Sequence, residues 1–110
     1  MPQPTTGGIR IERDGAHWVM WGEVDAAVAE ATEHEVAAAL SRHSTVSLDL
    51  SSVTFMDSGG LRLLYHAATA GSGAPVLERV PRRVRDLLEL SGVAELFELT
   101  DDAGPAEDEA

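Results

Sequence analysis

The patterned part of the chain begins with a short alternation, in which Ile9 and Ile11 are apolar and Arg10 and Glu12 are polar. A period of two predicts a strand from about Ile9 to Arg13 with one face turned to a core. Asp14-Gly15 supplies a hairpin-type turn, and His17 to Trp21 continues as a second, antiparallel strand. Strand alternation places Trp18 and Met20 on one face and His17, Val19 and Trp21 on the other. From Asp25 to about Arg42 the period changes. Val28, Ala31, Val36, Ala39 and Leu40 recur near a helical spacing in an alanine-rich stretch, and Asp25 stands where an N-cap belongs, so one continuous helix is expected.

Val46, Leu48 and Leu50 then alternate with Ser47 and Asp49 as a third strand, and Phe55-Met56 leads into a turn of Asp57, Ser58, Gly59 and Gly60. That turn opens a second helix. Leu61, Leu64, Tyr65 and Ala68 form its expected inward stripe, Arg62, His66 and Thr69 point outward, and Gly71-Ser72-Gly73 stops it. Pro75 to Arg79 reads as a strand. Pro81 suits the first turn of a third helix, whose inward face is Val84, Leu87, Leu88 and Ser91 and which ends at Gly92. Leu96 to Leu99 adds a last edge strand. Strands alternating with helices imply right-handed crossovers onto a largely parallel sheet, with the initial hairpin as its antiparallel edge: an α/β fold with a mixed sheet.

Residues 1–8, rich in Pro, Thr and Gly, read as a disordered leader, and Asp101 to Ala110 as an acidic frayed tail. One domain over residues 9–100 remains, a size that allows one core. With no cysteine, disulfides and thiolate chemistry are excluded and a reducing compartment is the simpler assumption. Neither a signal peptide nor an apolar run of the ~20 residues that span a bilayer is visible, so a cytoplasmic protein without a membrane partner is expected. The net charge of -11 argues against nucleic acid, which requires clustered cations. All eight basic residues are arginine; the absence of lysine removes Schiff-base and P-loop chemistry.

Candidate chemistry concentrates at Ser58. A serine at a helix start is ordinarily a cap, but Asp57 could serve that purpose equally well, and Gly59 and Gly60 leave the hydroxyl without bulky neighbours. Such a hydroxyl is open to a kinase. Phosphate there would add ~1.5 to 2 negative charges beside Asp57 and near Asp25, with the helix amides and dipole available to hold it. Other constellations are weaker. Asp49 at a strand resembles a receiver-domain phosphoacceptor, but the lysine such domains need is missing. Ser58 and His66 are separated by ~12 Å of helical rise, too far for a nucleophile and its base. Glu30 with His34 is the only helical metal-like pair and lacks further ligands, so no metal is expected. Arg79, Arg82, Arg83 and Arg85 form a basic cluster best read as a solvated helix start.

The run Ser47-Leu48-Asp49-Leu50-Ser51-Ser52-Val53-Thr54-Phe55-Met56-Asp57-Ser58-Gly59-Gly60-Leu61 resembles the signature of STAS domains, specifically the bacterial anti-sigma factor antagonists. Gly22-Glu23-Val24-Asp25 and the segment from Val84 to Phe97 are similar to two further segments of that family, in the same order. The resemblance implies a sheet of four to five strands with helices mainly on one face, no catalytic activity and no cofactor. It implies that Ser58 is phosphorylated by an anti-sigma factor serine kinase, that the unphosphorylated form binds this kinase and frees the sigma factor, and that a phosphatase reverses the change. Asp57 and Asp25 match the acids flanking the recognition surface; Glu23, Gly59, Gly60, Leu61, Arg62 and Trp21 complete the expected partner-binding set. Gly59 departs from the family's small hydroxylated residue or alanine, which suggests a looser turn. Trp21 departs from the family's polar preference and reads either as core or as a partner or dimer contact, in a monomer or weak dimer. The alternative within the same fold is an unphosphorylated assembly or regulatory subunit of a larger complex, such as a lipid transporter or signalling scaffold.

Overall fold

The hairpin expected at the start is present, with longer arms and a longer turn. The computed structural model of the protein describes residues 6–71 and 73–100; the expected tail, and the leader up to residue 5, lie outside them. Strand β1 (Gly7–Glu12) pairs antiparallel with β2 (His17–Val24), from Gly7 opposite Gly22 to Glu12 opposite His17. Gly7 and Gly8, assigned to the leader on composition, are therefore strand residues. The indole of Trp21 lies against Gly8, where an added Cβ would come within 2.7 Å of it. The turn is a three-residue 3-10 segment, Arg13–Gly15, with positive φ at all three positions, in place of a two-residue Asp14-Gly15 turn. It leaves the Gly15 carbonyl free to accept a 2.8 Å hydrogen bond from Trp18 Nε1, so the indole of Trp18 is buried with its one polar atom satisfied.

Strand β3 (Ser47–Met56) lies parallel to β2, and the short strands β4 (Val76–Glu78) and β5 (Glu98–Thr100) follow in parallel, giving the order β1-β2-β3-β4-β5. Every crossover steps the same way along the sheet. Right-handed connections then place all the crossover helices on one face. The buried residues agree: Trp18, Met20, Leu48, Leu50 and Leu77 share one cluster with Val28, Val36, Leu63, Leu64, Val84 and Leu88 from the helices. The fold is the expected mixed, largely parallel α/β sheet with one face covered. Helix α4 (Arg82–Leu90), capped by Pro81, and a 3-10 turn at Ala94–Leu96 complete the last crossover, so the final strand starts two residues later than its apolar pattern suggests.

Three departures bear on the site. The alanine-rich helix is two helices, α1 (Ala26–Ala31) and α2 (Glu33–Arg42), broken at Thr32. Its hydroxyl donates to the Val28 carbonyl at 2.8 Å, the side-chain competition with backbone pairing that weakens helices at threonine. Second, β3 runs through Ser47–Met56 as one strand of ten residues, but its register against β2 slips twice, between Val19 and Trp21 and between Gly22 and Glu23. The extra residues break its alternation, so burial after Leu50 falls on Val53 and Met56, three apart. Third, helix α3 (Ser58–Ala70) buries Gly60, Leu63, Leu64 and Ala67, and Tyr65, expected inside, is 49% exposed. The stripe has the expected helical spacing but starts one residue earlier, at a glycine.

Candidate functional site

Strands β2 and β3 finish side by side, with Val24 and Met56 as register partners, and each is followed by an aspartate in extended conformation that caps a helix. Asp25 Oδ1 accepts from the Val28 amide at 3.2 Å, at the start of α1. Asp57 Oδ1 accepts from Gly59 N at 2.8 Å and from Gly60 N at 3.4 Å, at the start of α3. Two helix N-termini thus open next to each other at one end of the sheet.

Their closeness explains the two glycines. A Cβ on Gly59 would press into the backbone of Ala26 and Asp25, coming within 2.6 Å of the Ala26 Cα; one on Gly60 would press into the Val24 carbonyl and lie 2.7 Å from Met56 Cγ. Both contacts involve neighbouring backbone, which cannot swing aside. Gly59 is therefore a close-approach residue, and the looser turn expected of it is not seen: the turn is tied by the Asp57 bonds and packed against α1. Gly60 is buried and Leu61 half-buried, so both belong to the packing under the turn.

Ser58, the first residue of α3, is exposed. Among the described residues its hydroxyl makes no hydrogen bond, because Asp57 has taken the capping role. It sits on a groove of about 470 Å³ between α1–α2 and α3. One wall carries Ala29, Glu30 and Glu33, and the other carries Ser58, Arg62 and His66. Arg62 and His66 are exposed, as their outward positions predict, and neither side chain has an ion-pair partner among the described residues. The kink at Thr32 lies between the two glutamates of the opposite wall. The groove was not anticipated. Its only signal in the sequence is the spacing of Ser58, Arg62 and His66 by four and eight residues, which stacks them along one side of a helix.

Asp57, Ser58, Gly59 and Arg62 thus come together, with Asp25 immediately beside Gly59. Trp21 and Glu23 do not join them. Both are exposed, and Trp21 lies on the sheet face away from the helices, against Gly8, where it is 44% exposed; the core reading of this tryptophan is excluded. Glu23 accepts a 2.7 Å hydrogen bond from the Thr6 hydroxyl and neighbours Phe55 in register.

The same open face holds a second polar group. Asp49 lies in mid-strand, its Oδ1 accepting from the Ser51 amide at 2.9 Å and its Oδ2 from Arg79 at 3.0 Å. Burial pushes its carboxyl up, but the Ser51 and Arg79 bonds outweigh this and leave it below the ordinary aspartate range. This is an engaged structural carboxylate, unlike a receiver phosphoacceptor. Glu78, its register partner on β4, is 6% exposed, and its buried Oε1 has no hydrogen-bond partner among the described residues. Burial raises the Glu78 carboxyl, the Asp49 charge adds to the rise, and His17, Arg13 and Arg79 only partly offset it. His17 is held by a 2.7 Å hydrogen bond between Nδ1 and Ser47 Oγ. Among the described residues, no cluster of three or more histidine, aspartate or glutamate side chains could hold a metal ion, and no helix is long and apolar enough to cross a membrane.

The architecture has known counterparts. The structure of the anti-sigma factor antagonist SpoIIAA in its unphosphorylated form matches with a TM-score of 0.66, covering 88% of this chain and 89% of that one at 16% identity. A likeness at that identity speaks for the fold. No curated protein matches the chain. The family model described as Mlab, STAS domain matches residues 9–100, which is most of the sequence and the whole of the sheet beyond its first two residues. The chain therefore belongs to the STAS domain family.

Proposed function

We propose that the protein is an anti-sigma factor antagonist, a binding switch controlled by phosphorylation of Ser58. The observation that carries this reading is the free, exposed Ser58 hydroxyl at a rigid turn whose capping is done entirely by Asp57. Unphosphorylated, the mouth of α1 and α3 docks on an anti-sigma factor kinase, which then releases its sigma factor. The kinase supplies ATP: Ser58 Oγ bonds to the γ-phosphorus, the bond to the ADP oxygen breaks, and the hydroxyl proton passes to a base of the kinase. A phosphatase would restore the hydroxyl.

This chain acts as substrate and not as enzyme. The histidine on the Ser58 wall is two helical turns away, ~12 Å along the axis, and among the described residues no base touches the hydroxyl. Phosphate would put ~1.5 to 2 negative charges beside Asp57, Glu30 and Glu33 in a surface that the partner must approach closely. A loss of ~1.4 kcal/mol weakens binding tenfold, so one or two lost contacts suffice to end a complex of moderate affinity.

The test is mass spectrometry of the full chain incubated with ATP and candidate anti-sigma kinases, which should place phosphate on Ser58 alone. Phosphate elsewhere, or none with any candidate, would favour the second reading, an unphosphorylated assembly subunit of a larger complex. That reading draws on Trp21 and Phe55, two large exposed apolar side chains that lie outside the groove.

A further inference from the structure

A phosphate at a helix start is ordinarily held by the free amides of the first turn. In α3 that arrangement is pre-empted. Gly59 N and Gly60 N both donate to Asp57 Oδ1, so a phosphate on Ser58 meets two first-turn amides already taken and a carboxylate beside it. Across the groove stand Glu30 and Glu33, two further anionic side chains. The cation within reach is Arg62. It lies one helical turn beyond Ser58 on the same groove wall, ~6 Å along the axis, a separation that an extended arginine side chain spans. Its guanidinium has no ion pair among the described residues, and its planar fork of donors suits a phosphate better than the compact ammonium of lysine does.

We propose that Arg62 is the internal counter-ion of phosphorylated Ser58. The inference rests on the reading of Ser58 as the phosphoacceptor and goes beyond it. The unphosphorylated protein presents a free guanidinium beside Ser58, and the phosphorylated protein withdraws it into a pair one helical turn long. Phosphorylation then changes the docking surface twice, by adding an anion and by removing a cation. His66 lines the same wall one turn farther on, ~12 Å from Ser58, which is beyond contact and makes it a natural control.

The experiment uses the full chain with phosphoserine installed at position 58 during synthesis, so that no kinase is involved, and follows the phosphorus resonance through a pH titration. A free phosphoserine has its second ionisation near pH ~6. In the wild-type background this ionisation should lie about half a unit lower than in Arg62→Gln, because the guanidinium favours the dianion. Arg62→Lys should restore part of the shift, His66→Gln should leave it in place, and ~1 M salt should largely erase it. Arg62 is exposed and has no ion pair among the described residues, so Arg62→Gln should melt with the unphosphorylated wild type. Coincident titration curves for wild type and Arg62→Gln would overturn the proposal, as would a shift that His66→Gln abolishes and Arg62→Gln does not. If no kinase modifies Ser58 while the titrations differ, the proposed function fails and the pairing of Arg62 with phosphate stands.

Discussion

At the mouth of α1 and α3 the carboxylates are engaged by backbone amides, whereas on the open sheet face carboxylates from adjacent strands are crowded together. Asp25 and Asp57 each follow a strand and cap a helix, which leaves the Ser58 hydroxyl without a hydrogen bond among the described residues. On the open face Asp49 secures Ser51 and Arg79, and its neighbour Glu78 has a buried oxygen without a hydrogen-bond partner among the described residues. The first region fixes its backbone around an exposed hydroxyl, and the second holds a carboxyl group whose charged form burial disfavours. The switch proposed for Ser58 would need the former property, because the turn would have to keep its shape when phosphate is added.

The largest test of this contrast is steric. Gly60→Val places branched carbons against the Val24 carbonyl and Met56, and should cost roughly 3 kcal/mol or leave the protein unfolded, read as a lower urea midpoint. Gly8→Ala on the open face has its nearest contacts with the indole of Trp21, a side chain 44% exposed and not backbone, and should cost under about 1 kcal/mol. Equal losses would mean that the mouth is no more rigid than the opposite face.

The next effect is on binding. Ser58→Asp should weaken association with the anti-sigma kinase at least tenfold, about 1.4 kcal/mol by calorimetry, and Ser58→Ala should bind like wild type. Trp21→Ala should change that affinity by less than roughly threefold, since the indole lies outside the groove. If Ser58→Ala and Ser58→Asp bound equally, charge at this turn would not be the control; if Trp21→Ala were the damaging change, the docking surface would lie on the open face.

Smaller again is the effect of the caps. Asp57→Ala removes two hydrogen bonds and should cost about 1 kcal/mol; Asp25→Ala removes one long bond and should cost less, in thermal melts at neutral pH. A larger loss at Asp25 would place the stability of the mouth in α1 and not in the turn.

How much of this was readable from the chain follows from the range of the interactions. Alternation at Ile9–Ile11 and Val46–Leu50, and the helical spacing after Asp57, gave the order of elements, since each depends on neighbours in sequence. That the Ser58 hydroxyl does not cap α3 was legible because Asp57 stood next to it as a competing cap. The slips in β3 were not, because a bulge is decided by the partner strand, nor was the burial of Gly60, because a glycine carries no hydrophobic signal. The groove walls come from α1, α2 and α3, with a kink at Thr32 between Glu30 and Glu33, so beyond the spacing of Ser58, Arg62 and His66 no local pattern announces the groove.

The smallest expected effect probes the buried carboxyl of Glu78. Burial raises this carboxyl above its unfolded value of 4.5, so between that value and its higher folded one the native state binds more protons than the unfolded chain. Stability contributed by this group is therefore lost as pH rises through the window and regained as pH falls. Asp49 runs the other way: its carboxyl is lowered, and the stability it contributes at neutral pH is lost on acidification. Glu78→Gln abolishes the first dependence and leaves the second. At pH 7 it should stabilise the fold by about 0.5 kcal/mol, since an amide avoids the buried charge although it still needs partners, and the gain should vanish below about pH 4. A variant that is less stable than wild type at pH 7 would show that His17, Arg13 and Arg79 together hold Glu78 as a favourable anion. The open face would then be as electrostatically settled as the mouth of the helices, and the contrast between the two regions would have to rest on the Ser58 hydroxyl alone.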